Sequence, residues 1–534
     1  MKFLAALVVA LLVVAAFASH GYTPRTAVFH LGRLHTEDHI EAEFVARSTP
    51  DTDVFQQHLS VAQLTALVRG KQSSKALVST FLQMTKGCAA ITVSLTQDSL
   101  TCDLLPNTDL TALLARSASA KNFAPRTSAL HLLPNGVREQ LRAVVVVWSR
   151  NPGLTTPAKK PRLQLTQPGG PQTPQSIRER YRVPTTINFT IPPDYSNGVG
   201  EFEGEFFQAS DISAFNTQYK LERPLKIEVL GPNPSSGADQ IEGTLDLEYI
   251  GAISNGRVGL WWLAQSQNHQ EPGNIDFHLW VDKVLNMTHV PAVISLSWGL
   301  GYQQYFFDMA VLNMDNDAFR KMGLVGTSLL AASGDSGPGT RTGIFNCDTF
   351  TPSWPASSSY LTSVGATYAN SASEDEVAVS WSGGGFSTVF ALPSWQKDAV
   401  QTYLSTATGL PNSTFYNASG RAYPDVSALG TNYEVFVQGQ LESVSGTSCA
   451  APCFAGIIGL IAAERQDKGK STLGFINPML YKLGNVGFDI TQGASQDMNC
   501  FPLFPIPGFP AAKGWDAVTG LGTPRYDYLR ARMV

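Results

Sequence analysis

Ser445–Pro452 reads SGTSCAAP and runs directly into CFAGIIGLIAA, Cys453–Ala463. Small residues at the head of a wholly apolar stretch describe a buried helix whose first turn meets the surface. Ser448 at that mouth has the setting of a nucleophile. Its hydroxyl is inert, however, unless a neighbour accepts the proton. The fold and the chemistry therefore turn on which residue that neighbour is.

GTSxAAP-like sequences occur in subtilisin-type enzymes, where a histidine oriented by an aspartate takes the proton. Of the nine histidines here, His20, His30, His35, His39, His58 and His131 all precede a Pro/Gly/Lys/Thr-rich stretch, Asn151–Pro174, which lacks periodicity and reads as an exposed, cleavable linker. The other three, His269, His278 and His289, lie in QNHQEPG, IDFHLWVD and NMTHVPA, none of them the Gly-flanked setting of a subtilisin histidine. Carboxylates fit better. Glu242 and Asp246 in IEGTLDLEYIGAI are four apart, on one face of a helix and close enough to share a proton. Asp335, in LLAASGDSGPG, occupies a Gly-bounded turn after an apolar strand, which aims its side chain into a cleft. Taken singly, each has a plainer reading: a helix-capping serine, a solvated helix face, a braced turn.

The linker divides the chain. Before it, amphipathic runs (VFQQHLSVAQLTALV, KALVSTFLQM) alternate with β-like ones (AAITVSL, LRAVVVVWS), which predicts a compact α+β unit over residues 19–150. After it, short apolar runs ending in Gly or small polar residues (LKIEVLG, PAVISLSWG, LVGTSLLAASGDSG, YLTSVGAT) alternate with helical segments such as FHLWVDKVL and MDNDAFRKMG. Residues 175–534 are thus expected to form an α/β domain, a mostly parallel sheet with helices on both faces and its chemistry at the carboxyl ends of the strands.

Length and composition agree with two domains: 534 residues less the first 18 leave 516, more than one ordinary core. Residues 1–18 carry one lysine, an apolar run and the small-residue pattern Ala16-Phe17-Ala18, a secretory signal in form; an uncleaved anchor is the alternative, but the run is short of the ~20 residues a bilayer needs. No other segment is read as a membrane span, so no stable membrane insertion is expected. Sequons at Asn188, Asn286, Asn412 and Asn417 suit the secretory route. A net charge of -5 with mixed signs gives no reason to expect nucleic acid as a partner. In an oxidising compartment some of the six cysteines pair; Cys88 with Cys102 and Cys347 with Cys500 are plausible, while Cys449 and Cys453, one helical turn apart, read as buried thiols.

The ordered set of Glu242-x3-Asp246, SGDSG around Asp335 and SGTS ending in Ser448 resembles the sedolisin, or serine-carboxyl peptidase, family. TPQSIRERY, QEPGNIDF, SLSWG, FTPSWPASSSYLTSVGAT, WSGGGFS, RAYPDVSA and GWDAVTGLGTP resemble it in the same order along the chain. The resemblance implies a subtilisin-like fold preceded by an activation prosegment that inhibits its own enzyme. It implies an acid-active peptidase acting on peptides or proteins, with Ser448 as nucleophile, Glu242 as general base and then acid, Asp246 as the partner that tunes it, and Asp335 at the oxyanion. It also implies one structural Ca²⁺ near FDITQG and AAKGWDAVTG, held by Asp489, Asp516 and the carbonyls of Ile490, Ala512 and Gly514, an oxygen-only set suited to a hard cation. Ala at 512 and Cys at 449 depart from the family pattern of Gly and Ala. Release of tripeptides from free N-termini is the favoured activity; cutting of internal bonds, a non-catalytic binding protein on the same scaffold and a histidine-based enzyme stay open. Lysosome or other acidic compartment, and the extracellular space, are all compatible with the signal.

Overall fold

The computed structural model describes residues 22–534 except 81–87, 105–125, 129–140, 151–168, 235–239, 265–276, 302–308, 340–348, 371–374, 498–505, residue 203 and a few single positions between 32 and 80. The expected signal segment and most of the linker, with His20, His131, His269, Cys347 and Cys500, lie outside the described residues.

The N-terminal unit is α+β. Strands β1 (Tyr22–Leu31), β2 (Cys88–Val93), β3 (Ser99–Leu104), β4 (Arg126–Ser128) and β5 (Leu141–Arg150) form an antiparallel sheet in the order β2-β3-β1-β5-β4. Among the described residues two helices accompany it, α1 (Glu37–Ser48) and α2 (Val61–Val68). Within the amphipathic run that begins at Val54 the helix covers Val61–Val68, and Ser60 and Gln63 form a capping box that fixes its start. Before it, Leu59 N donates to Leu324 O at 2.8 Å, a bond that a helical residue would spend within its own helix.

The second unit is the α/β domain that the alternation predicts. Strands β6 (Ser196–Glu201), β7 (Ile227–Leu230), β8 (Gly259–Ala264), β9 (Val293–Leu296), β10 (Ser328–Ala332), β11 (Thr362–Tyr368), β12 (Val377–Ala378) and β13 (Val426–Leu429) make one sheet. Its path is β12-β11-β10-β9-β6-β8-β7, with β13 also on β11, and every pair is parallel except β11 with β12. Side chains alternate between the faces: Val293 and Leu330 join one hydrophobic cluster, Ile294, Leu329 and Ala331 the other. Helices α3 (Ile241–Ile253) and α6 (Thr447–Asp467) cover the first face; α4 (Phe277–Leu285) and α5 (Met309–Leu324) cover the second. By length and hydropathy α6 could cross a membrane, contrary to the expectation that no later segment could, yet it is almost wholly packed inside the domain.

The N-terminal unit docks on the second face. Ile40, Phe44, Leu64 and Val68 join the cluster of Phe319 and Met322 from α5. Ion pairs cross the same boundary: Arg33 with Asp317 and Lys321 Nζ with Asp98 at 2.7 Å are buried, while Arg320 meets the more exposed carboxylates of Glu37 and Glu41 at 2.9 and 3.0 Å.

Helices α3 and α6 cross closely because α6 carries glycine at the contact: a Cβ on Gly456 would come within 2.8 Å of Ile253 Cβ and 3.0 Å of Ile250 O. Gly456→Val should therefore push the helices apart and destabilise the domain by about 1–3 kcal/mol, read as a lower denaturation midpoint.

Candidate active site

Three adjacent strands deliver their carboxyl ends to one place. β6 ends at Glu201, β9 leads into Ser297, and β10 into the SGDSG turn. The next connections in the chain run outward from β6 on one side and from β9 on the other, so this is where the strand order reverses, the place at which open α/β sheets carry their ligands. Above it α6 begins, placing Ser448 in the first turn of a 21-residue helix, half-buried and at the positive end of the helix dipole.

Ser297 and Thr447 tie the expected residues together. The Ser297 hydroxyl lies 2.8 Å from Asp246 Oδ1, to which it donates, and 3.4 Å from Ser448 O. The carboxyl of α3 thereby sits beside the Ser448 backbone. On the other side, Asp335 Oδ1 accepts from Thr447 N at 2.7 Å and Thr447 Oγ at 2.8 Å, while Thr447 Oγ accepts from Gly334 N at 3.1 Å. The SGDSG turn is thus clamped to the residue preceding Ser448. A Cβ on Gly446 would stand 3.0 Å from Asp335 Oδ2, so the close approach depends on glycine there.

Solvent access sorts the carboxyls. Asp335 is exposed and Glu242 half-buried, while Asp246 is sealed off and Glu201 nearly so. Burial first, then the charge of Glu242, raises the Asp246 carboxyl well above its ordinary range, against the hydrogen bond from Ser297. Burial, then Glu205 and Asp246, does the same to Glu201. Glu242 lies in the first turn of α3, where the helix dipole favours an anion, and Asp246 one turn deeper. Burial and the nearby charge of Glu242 thus favour the protonated form of Asp246.

The two described histidines of the second unit lie away from this cluster. His278 Nδ1 is 3.0 Å from Asp315 Oδ1 in the layer of α4 and α5, and His289 is exposed. Cys449 and Cys453 are buried, and Cys449 Sγ lies 3.6 Å from Val444 O. Cys88 and Cys102 sit on paired strands, but their side chains lie outside the described ones.

At the C-terminal loops Asp489 accepts from Gly514 N at 3.0 Å, and Asp516 from the N–H groups of Ala512, Val518 and Thr519. Burial pushes the Asp516 carboxyl up to about 7. Two carboxylates on facing loops, one of them deprived of water, with Ala512 and Gly514 between them, fit a hard cation. Ala512 keeps a negative φ, whereas Gly514 has φ +82°, so the alanine departure falls where a side chain is tolerated.

The Subtilase family profile matches residues 272–474. Tripeptidyl-peptidase 1 from Canis lupus familiaris is 30% identical over 539 residues, 94% of this chain and 93% of that protein. The Homo sapiens tripeptidyl-peptidase 1 is 30% identical over 530 residues, 93% and 92% of the two chains. The chain belongs to the sedolisin, or serine-carboxyl peptidase, family. A solved Pseudomonas sedolisin, described as a serine-carboxyl proteinase complexed with pseudo-iodotyrostatin, shares the fold with a TM-score of 0.53 at 22% identity, covering 69% of this chain and 98% of its own. As a sedolisin the chain is a serine-type peptidase, and the resemblance drawn from its motifs holds.

Four further residues of this sedolisin's site were missed in the sequence. Ser297 was visible only as part of SLSWG, and Thr447 as the residue beside Ser448. Glu201 closes an otherwise glycine- and valine-rich strand, SNGVGE, and that lone terminal charge was the available signal. Glu205, four residues on and half-buried, hydrogen-bonds Glu201 and raises both Glu201 and Asp246. Replacing Glu205 by Gln keeps a hydrogen-bonding group and removes a like charge. The carboxyls should then lose their protons more easily, moving the basic limb of the kcat/KM profile to lower pH.

Proposed function

We propose that this sedolisin is an acid-active peptidase that works through Ser448, Glu242, Asp246 and Asp335. Glu242 takes the proton as Ser448 Oγ attacks the scissile carbonyl carbon, and the new oxyanion accepts a hydrogen bond from protonated Asp335. Glu242 then gives the proton to the departing amine, leaving an acyl group on Ser448, and repeats both steps with water. Asp246 holds its proton against Glu242 and sets when that residue is charged. The chemistry belongs to acid, since Asp335 must carry a proton to donate and the carboxyls share protons only below neutrality. The observation that carries this reading is the Ser297 hydroxyl lying between Asp246 and the Ser448 backbone, with Asp335 clamped to Thr447.

Glu242→Gln should abolish nearly all hydrolysis of an acid-denatured protein substrate, to the level of Ser448→Ala, in chains of unchanged denaturation midpoint. A Glu242→Gln enzyme retaining most activity points instead to another base. The mode is the removal of tripeptides from free N-termini, which the names of the full-length relatives support. Mass spectrometry of products from one peptide, free or acetylated at its N-terminus, separates this from internal cleavage: only the free form should yield a tripeptide.

The N-terminal unit is the prosegment and inhibitor of a zymogen, with self-cleavage at low pH in the 151–174 region. Its docking on α5 through ion pairs, two of them buried, supports a unit that leaves when carboxylates are protonated. Synthesis is into the secretory route, towards a lysosomal or other acidic compartment or the exterior; all four sequon asparagines are exposed. Asp489, Asp516 and the carbonyls of Ile490, Ala512 and Gly514 hold one Ca²⁺, which ties the two loops together and takes no part in the bond-breaking. Chelation should lower the denaturation midpoint and added Ca²⁺ restore it, whereas Asp516→Asn should remove the response to Ca²⁺.

A further inference from the structure

His58 lies in the non-helical stretch between α1 and α2, and its ring enters a slot in the peptidase domain. Two glycines make the slot. A Cβ on Gly326 would stand 2.7 Å from His58 Cδ2, and one on Gly474 would stand 2.6 Å from His58 Cε1. Both have positive φ, +101° and +63°, and their backbones are joined by Gly474 N donating to Gly326 O at 3.1 Å. Thr472 braces the same turn, Oγ1 to Gly326 O at 2.8 Å, and presents its carbonyl 2.9 Å from His58 Nε2.

That carbonyl can only accept, so Nε2 carries the hydrogen and Nδ1 is the bare nitrogen of a neutral ring. Nδ1 is shut off from solvent and has no hydrogen-bond partner among the described residues. A second proton would therefore go to a buried atom with nothing to receive it. The charged groups acting on the ring are both cations. Arg465, in α6, also donates to Gln56 Oε1; Arg47, in α1, pairs with Glu43 and donates to Gln57 O. Burial first, then these two arginines, depress the imidazole below its ordinary value, against the bond to Thr472. The surrounding backbone is held through the same stretch, by Ser471 Oγ to Gln56 O at 2.8 Å and Leu59 N to Leu324 O at 2.8 Å.

We propose that His58 is an acid-sensitive pin: its neutral ring, seated between Gly326 and Gly474, fastens the N-terminal unit to the peptidase domain, and protonation expels it. This rests on the zymogen reading and names a control distinct from the ion pairs. The sign follows from linkage. The undocked ring titrates near ~6.5 and the docked ring lower, so docking is at full strength above ~6.5. It weakens about tenfold for each pH unit below that, until the docked ring itself takes the proton.

The test uses the full chain carrying Ser448→Ala, so that self-cleavage does not intervene, and follows amide hydrogen exchange across Gln56–Ser60 from about pH 7 to about pH 5, corrected for the intrinsic pH dependence of exchange. With His58 present, opening should rise about tenfold per unit below ~6.5. With His58→Gln, whose amide can still donate to Thr472 O but takes no proton, it should stay flat. Equal slopes in the two chains overturn the pin. Should His58→Gln fail to fold, His58→Phe serves as a second non-titrating ring, and the His58 titration is read directly by NMR in the parent chain; a value at or above ~6.5 also overturns it. If the chain with Ser448 intact keeps its N-terminal unit in acid and still cleaves peptides, the zymogen reading fails, and the exchange step alone decides the pin.

Discussion

Asp246, a carboxyl without solvent contact, is the constraint on which the rest of the site depends. Removing an ionised carboxylate from water costs several kcal/mol, so a group placed so deep holds a proton or is paired. Here one oxygen accepts from the Ser297 hydroxyl, the other is buried with no hydrogen-bond partner among the described residues, and the charge of Glu242, one turn nearer the surface, acts on the group. The arrangement needs α3 to lie close on α6, which glycine at 456 permits, and needs β9 to end where Ser297 can reach both helices. Sheet, helix crossing and proton inventory are one requirement seen at three scales.

The same reasoning gives the site its layered character. Groups that would touch substrate, Ser448, Glu242 and Asp335, have access to solvent, while Asp246 and Glu201 lie beneath them and have almost none. A surface carboxylate is cheap to ionise and a buried one is not, so charge collects at the cleft and protons behind it. Thr447 and Ser297 contribute no charge; they hold the two sides of the cleft in register through hydrogen bonds at 2.7–2.8 Å.

The N-terminal unit meets the peptidase domain by a different balance. Its apolar contribution is modest, a few residues added to the cluster beneath α5, and buried ion pairs contribute little net stability once desolvation is counted. They are, however, strongly dependent on protonation. An interface that includes ionisable groups responds to pH, whereas a purely apolar one would not.

The sequence by itself determined the class of fold, because short apolar runs alternating with helical period fix a parallel sheet wherever both faces must be covered. It also marked Ser448, Glu242, Asp246 and Asp335 as candidates, since a helix brings residues four apart together and a Gly-bounded turn aims its aspartate outward. Both are local rules. Only the tertiary structure decided which distant groups meet: Ser297 between Asp246 and Ser448, Glu201 and Glu205 behind them, His58 in a slot made of two glycines 148 residues apart in the chain. It also turned α6, by length and hydropathy a possible membrane span, into a core helix. Propensity and periodicity describe one segment at a time, while burial, and the proton affinities that follow from it, belong to what packs around a residue.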